Sequence, residues 1–417
     1  MENKKRLIRD SRRSFFLFGP RGTGKTTWIA ERFPNAHRID LLRPDERRAL
    51  TARPERLFEI VDAHPATTDF VVDEVQRAPA VLDVVHKLID ERKDIRFVLT
   101  GSSARKLKRT GGVDLLGGRA VQRFCHPFMA CELGADFSLH RALKVGMLPL
   151  VVGNSDADAN DVLRTYLDLY LQEEITADGA IRNLDAFARF LEVASFSHGS
   201  VLSASEIARE SAVKRSTIDG YFAILRDMLV TERLPVFSKR AKRVLSAHEK
   251  FYFFDAGVFR TLRPKGPLDN PNELDGVCLE GLVFQHLKAW VDYSEEDVSL
   301  CFWRTKSGVE VDFVLYGENS FFAFEIKNAA SFSHSDLSGL REFKKDYPEA
   351  VTALLYRGRE AIRTQDGIWC LPVESFLLEL IPGRQPPVPS LEASSLPRSS
   401  RGSMPDLEID IDTQGNR

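Results

Sequence analysis

Between Ser14 and Thr26 the chain commits itself more narrowly than anywhere else. The run SFFLF reads as a strand and the stretch from Thr26 to Arg32 as a helix. Between them, Gly19-Pro20-Arg21-Gly22-Thr23-Gly24-Lys25-Thr26 satisfies GxxxxGK[ST]. Glycines let the backbone wrap phosphates with N–H groups turned inward. The helix that opens there presents its positive end to the anion. Lys25 is expected at the β- and γ-phosphates of ATP and Thr26 on a magnesium ion, with Thr27 completing the nucleotide-contacting set. The strand–turn–helix context is what separates this reading from a Gly-rich turn with no ligand.

Asp69 to Val72 (DFVV) reads as a second apolar strand and ends in Asp73 and Glu74. An acid at that place can hold the magnesium shell and another can orient the attacking water. Asp73 is assigned to the metal and Glu74 to the water. A DE pair after a strand is common, and its alternative is a solvated strand end; its position, one strand beyond the lysine, gives it weight. The strand RFVL, from Arg96 to Leu99, runs into LTGSS, where Thr100 and Ser102 are candidates to sense the γ-phosphate. Arg119, in LLGGR, is a candidate arginine finger in cis or from a neighbouring subunit, and otherwise a surface arginine. Short strands alternating with helices, among them Arg38 to Leu41 and Val81 to Glu91, predict an α/β fold with a parallel, doubly wound sheet.

The chain has 417 residues, too many for one core, which predicts roughly two to four domains. A net charge of -2 gives no global attraction to nucleic acid or membrane, so any such case is local. No apolar run is long enough to cross a bilayer, and Met1 to Arg13 lacks the apolar segment of a signal peptide. The expected location is the cytoplasm. Cys125, Cys131, Cys278, Cys301 and Cys370 show no CxxC spacing and read as reduced, partly buried thiols.

Beyond residue 145 the pattern turns helical, with amphipathic stretches at Asp161 to Glu174 and Leu184 to Ser195. Ser205 to Met228 has the apolar spacing of two short packed helices, with Ser216 as N-cap of the second. Lys214 and Arg215 precede that helix. Lys239, Arg240, Lys242 and Arg243 fall in a basic hairpin between expected strands at Leu234 to Phe237 and Phe251 to Phe254. Such charge could grip DNA phosphates, although modules of this kind serve equally as packing or protein-contact domains.

Strands are expected at Ser299 to Arg304, Glu310 to Leu315, Phe321 to Lys327 and Val351 to Tyr356, with helices at Leu279 to Trp290 and Leu337 to Lys345. Asp312, Glu325 and Lys327 are charges set inside otherwise apolar strands. Glu325 and Lys327 share one face of their strand. With Glu280 on the preceding helix, they are the parts for metal-assisted phosphodiester hydrolysis. The alternative is an internal salt bridge of Lys327 with Asp312 or Glu325 in a fold that does not cut. From Gly383 onward the chain is Pro- and Ser-rich and expected to be disordered.

GPRGTGKT, DEVQRAP, LTGSSA, LLGGR and PFMACEL, followed by FYFFDAG, CLEGLVFQHL, FWRTKSGVEVDFVL and FEIKNA, together resemble the prokaryotic AAA-type P-loop ATPases that carry a C-terminal domain of unknown function related to PD-(D/E)XK nucleases. The resemblance covers roughly residues 7 to 380. It implies an ATPase domain over 1–145, a helical and winged-helix domain over 146–262, a nuclease-like domain over 263–382 and a tail over 383–417. It implies ATP and magnesium as ligands, DNA as a candidate partner and a homo-oligomer as a candidate assembly, with no membrane. Met129-Ala130 and a glycine of LLGGR depart from the usual pattern outside the proposed chemistry. Three readings follow. The chain is an ATP-driven switch that acts on a partner, an ATP-gated metal-dependent DNA nuclease, or a nucleotide-binding interaction module with negligible turnover.

Overall fold

Alternating large apolar residues fix the first layer. Phe15 and Leu17 of strand β1 (Phe15–Phe18) enter one core, and Phe16 and Phe18 enter the core on the opposite face. A strand whose two faces are both apolar must be covered on both sides, which is the demand of a parallel sheet. The computed structural model describes residues 4–101, 117–178, 181, 183–239, 248–267 and 270–389, with backbone alone for 169–178. Ser102, Arg240, Lys242, Arg243 and residues 390–417 of the expected tail therefore lie outside the described residues.

Among the described residues the first sheet joins β1 with β2 (His37–Asp40), β3 (Asp69–Asp73), β4 (Arg96–Gly101) and β5 (Val121–Phe124), all parallel, in the order β2-β3-β4-β1-β5. The helix Lys25–Arg32 follows β1, and the helix Val81–Glu91 occupies the span read from the sequence. The polar helix Pro44–Ala52 carried too little apolar periodicity to be read, and Arg56–Asp62, apolar at Leu57, Phe58, Ile60 and Val61, spans only seven residues.

A second, antiparallel sheet has the order β6-β8-β7, from β6 (Ser200–Val201), β7 (Thr231–Leu234) and β8 (Lys250–Phe253). The helices Ala204–Glu210 and Arg215–Asp227 lie between β6 and β7. Two expectations are corrected here. The strand expected at Leu234 to Phe237 sits earlier, because Thr231 to Leu234 pair with β8 and Pro235 has no N–H for the ladder. Ser216 is not the N-cap, because the helix already opens at Arg215 with Lys214 in the capping position.

The third sheet, β13-β14-β12-β11-β10-β9, is mixed. It consists of β9 (Ser299–Arg304), β10 (Glu310–Tyr316), β11 (Phe321–Lys327), β12 (Val351–Tyr356), β13 (Ile362–Arg363) and β14 (Trp369–Pro372). The helix before it runs over Pro271–Tyr293, far beyond the expected Leu279 to Trp290. Asn270 caps its start and Pro271 holds its first position. From Cys278 to Tyr293 it is buried almost all round, which is why no amphipathic stripe announced its ends. Residues 383–389, assigned to the tail by composition, are in part held against the fold, with Pro386 buried and 383–385 exposed. Trp290 Nε1 donates to the carbonyls of Ile381 and Arg384, at 3.2 and 3.0 Å, and Val388 lies on the core.

Candidate nucleotide site and the buried acids

The glycines of the loop after β1 are imposed by space and by backbone conformation. A Cβ on Gly19 would stand 2.4 Å from the Cys125 carbonyl, and Gly22 and Gly24 hold φ of 83° and 88°. Gly24 caps the helix Lys25–Arg32, whose first-turn N–H groups have no intrahelical acceptor. Lys25 is buried, and its ammonium donates to the carbonyls of Gly19 and Pro20 at 2.6 and 3.0 Å.

Because β4 lies between β1 and β3, its carboxyl end projects between the glycine loop and the acids of β3. There the Thr100 hydroxyl donates to Asp73 Oδ1 and accepts from the Glu74 N–H at 3.0 Å. The Thr26 hydroxyl donates to Asp73 Oδ2 at 3.2 Å. Asp73 is thus joined to Thr26 on one side and to Thr100 on the other. Glu74 takes the left-handed conformation, φ 59°, uncommon for a residue with a side chain. The Gln76 amide donates to its carboxylate. Gln76 was legible in DEVQRAP only as part of a motif, and no role followed from its spacing.

Arg6 was missed altogether. Its guanidinium reaches the Thr23 carbonyl at 2.9 Å, the His126 carbonyl at 2.6 Å and Glu132 at 3.1 Å. Glu132, from PFMACEL, also accepts the N–H groups of Leu7 and Met129. Arg6, Gly24, Thr27, Trp28, Phe128 and Val152 line a cleft of about 670 Å³ beside the loop.

Arg119 stands elsewhere. Val121 pairs with Phe15 and Phe124 with Phe18, so β5 runs from Arg119 at the amino edge of the sheet towards the loop at the carboxyl edge. The two ends of β5 are roughly 10 Å apart. Arg119 pairs with Asp90 at 2.7 Å and holds that carboxyl below its usual range. It does not reach its own loop, which corrects the expectation in cis.

The acids of the third sheet do converge, but on a different cation. Lys250, from β8, meets Glu280 at 3.0 Å, Glu310 at 2.5 Å and Asp312 at 3.0 Å, with its side chain only 2% exposed. Burial disfavours its charge, and Glu280 with the other acids overrides that and holds its pKa well above the usual value. Tyr252 donates to Glu280 at 2.6 Å. Burial pushes Glu280 up to about 7 and Glu325 well above the carboxylate range, the latter with help from the Asp312 charge. Glu325 Oε2 is buried with no hydrogen-bond partner among the described residues.

Lys327 leaves this group. It is 44% exposed and pairs with Asp336 at 2.6 Å, a bond that draws Asp336 down to about 2. Both sequence readings of Lys327, as part of the acid site and as the bridge to Asp312 or Glu325, are therefore corrected. Nothing in the spacing pointed to Lys250, because its strand belongs to the preceding sheet. Among the described residues no group of three or more His, Cys, Asp or Glu side chains is arranged to hold a metal ion.

Lys214, Arg215 and Lys239 are exposed. Arg215 pairs with Asp219 at 3.1 Å and donates to Ser205, so an acid shares the face with the bases. No helix of the described residues is long and apolar enough to cross a membrane.

Residues 11–134 match the AAA domain family. Residues 136–269 match a domain of unknown function, DUF8612, and residues 275–376 another, DUF4143. A comparison with curated proteins finds no match. Among solved structures, the Aeropyrum pernix ORC1 protein in complex with DNA is 12% identical over 61% of this chain and 87% of that one, with a TM-score of 0.26. The Aeropyrum pernix ORC2 protein, in ADPNP–ADP complexes, is 13% identical over 65% and 88%, with a TM-score of 0.25. Likeness at that level carries no argument. The family match and the sheet order together make the first unit a P-loop AAA-type ATPase domain.

Proposed function

We propose that the chain binds ATP with magnesium at the loop Gly19–Thr26, hydrolyses it, and passes the nucleotide state to the units that follow. One observation carries this reading: Thr26, Asp73, Thr100 and Glu74 form one hydrogen-bonded chain at the carboxyl ends of β1, β3 and β4. The backbone from Gly19 to Lys25 would surround the phosphates and Lys25 would pair with them. Gly22 and Gly24 supply the left-handed turns that such a cradle needs. Thr26 and Asp73 are the oxygen donors for magnesium, which supplies charge neutralisation on the phosphates. Glu74 orients the attacking water, and Thr100 stands where it can report on the γ-phosphate. The cleft lined by Thr27, Trp28 and Phe128 takes the base and ribose. Arg119 can act only on a neighbouring copy's nucleotide, which makes an oligomer part of that role.

The route onward is short. Arg6, which holds the Thr23 carbonyl, also touches Tyr293 Oη at 3.4 Å. Tyr293 Oη accepts the His126 N–H at 3.0 Å, and the His126 ring meets Asp292 at 2.6 Å. Tyr293 and Asp292 end the helix Pro271–Tyr293, so the loop and the C-terminal unit share a buried joint. This supports the switch reading over an interaction module with negligible turnover, in keeping with a middle unit of winged-helix type and a nuclease-like C-terminal unit. DNA remains the candidate partner through Lys214, Arg215 and Lys239. Cutting is no part of this reading, because Lys327 is turned away from the acids.

Titration of a fluorescent ATP analogue, with and without magnesium, tests the site. Wild type should bind in both conditions and more tightly with the metal. Lys25→Ala should lose binding, and Asp73→Asn should lose the magnesium dependence alone. Equal binding by Lys25→Ala would sink the assignment.

A further inference from the structure

The cleft beside the glycine loop has an outer wall that the first unit does not supply. Gly146, Met147, Pro149 and Val152 line it, and all four fall within residues 136–269, the second family match. This strap lies on the loop itself. A Cβ on Gly22 would stand 2.2 Å from Leu150 Cδ2, and one on Gly24 would stand 3.6 Å from Pro149 Cγ. The other side of the strap is held by a carboxylate. Asp255, between β8 and the helix Ala256–Leu262, accepts the N–H groups of Gly257 and Val258 through Oδ1, at 2.8 and 3.0 Å. Its Oδ2 accepts the Met147 N–H at 2.8 Å. The approach leaves no room for side chains. A Cβ on Gly146 would stand 2.1 Å from Asp255 Oδ1, and one on Gly257 would stand 2.2 Å from the Val145 carbonyl. Capping the helix does not by itself call for a charge, because Asn and Ser cap as Asp does and a buried carboxylate is costly. Asp255 is 1% exposed, no cation pairs with it among the described residues, and burial pushes its pKa up to about 6. What the carboxylate adds is its second oxygen, an acceptor for the Met147 N–H that an amide nitrogen cannot replace.

We propose that Asp255 is a positioning residue for the nucleoside half of the nucleotide site, a role that rests on the ATP site proposed above: by holding Met147 it keeps the strap over 146–150 closed on the cleft, so that the middle unit sets how tightly base and ribose are held. Asp255 touches no part of the ligand and acts only through the strap. The strap is tied to the first unit as well, since the Phe128 N–H donates to the Met147 carbonyl at 2.9 Å. Met147 is thus gripped by its N–H from the middle unit and by its carbonyl from the wall opposite. The phosphates depend on the N–H groups of the glycine loop, whereas base and ribose depend on the strap. Loss of the second oxygen of Asp255 therefore separates the two halves of the ligand.

The test compares two ligands on the full chain by titration calorimetry with magnesium: ADP, which carries a nucleoside, and inorganic tripolyphosphate, which does not. Asp255→Asn keeps an oxygen for the Gly257 and Val258 N–H groups and turns an amide NH2 towards Met147. It should weaken ADP binding roughly tenfold, the weight of a hydrogen bond to a charged group, and leave tripolyphosphate binding unchanged. Equal weakening of both ligands, as a merely structural role would give, overturns the proposal, and so does weakening of neither. Wild type keeps the test decisive if the variant does not fold. Hydrogen exchange of the amides over 146–150 should slow when ADP binds and stay unchanged when tripolyphosphate binds. Exchange that ADP leaves unchanged, or that both ligands slow equally, overturns the strap. A wild type that binds neither ligand overturns the ATP site itself, and the role of Asp255 with it.

Discussion

At Glu74 the backbone conformation and the side-chain role meet. The left-handed turn there and the Gln76 amide together fix where the carboxylate points. Glu74→Gln should keep ATP bound and lower turnover by about 10²–10⁴-fold, the usual weight of a positioned base. Gln76→Ala, which frees the carboxylate, should lower turnover less and leave affinity unchanged in the same binding and phosphate-release assays. Acid sensitivity is also a single-residue matter. Burial holds His198 down at about 3 and His286 at about 4, so both are neutral in the fold. Unfolded, each takes a proton near pH 6.5. Their contribution is fully present above that pH and is lost as pH falls towards 4 and then 3. Replacing His286 by Gln should flatten the pH dependence of unfolding free energy by up to about 1.4 kcal/mol per pH unit in that window. Denaturant melts at several pH values would show it, and an unchanged slope would contradict it.

At the scale of elements, much of the geometry of the candidate nucleotide site was legible. Glycines at fixed offsets between an apolar strand and a helix leave few conformations, and DE at the end of DFVV follows from strand termination. What stayed hidden was whatever a separate segment supplies. Arg6 and Glu132 are far apart in sequence, and neither sits in a periodic pattern, yet they form a buried pair with side chains 5% and 0% exposed. Removing one member of such a pair costs about 3–5 kcal/mol, since the other charge is left buried. Arg6→Ala should therefore lower thermal stability markedly and weaken nucleotide binding through the Thr23 carbonyl. A variant as stable as wild type would show that the N-terminal segment is not a brace. The same logic explains Lys327. Strand parity placed it on one face with Glu325, but parity says nothing about the rotamer, and Asp336 outside the strand claims its ammonium.

Over the whole molecule, one core runs from Phe15 in the first sheet to Leu380 beyond the last. The helix Pro271–Tyr293 is its spine. Tyr293 and Asp292 meet the turn after β5 beside the glycine loop, and Glu280 meets Lys250 on the same helix, about 20 Å along at 1.5 Å per residue. That one helix is a physical link between the turn beside the glycine loop and the acid cluster. Trp290 anchors it, fully buried with its indole N–H satisfied. Trp290→Ala should cost about 3–5 kcal/mol, and a calorimetric melt should show both units weakened together. The central claim is narrower than that link: the first unit turns over ATP with magnesium. Its most direct test is steady-state phosphate release from ATP by wild type and by Glu74→Gln. The account predicts magnesium-dependent release by wild type and its near-complete loss in the variant, with ATP still bound. Release that is absent in wild type, or equal in the two proteins, would contradict it.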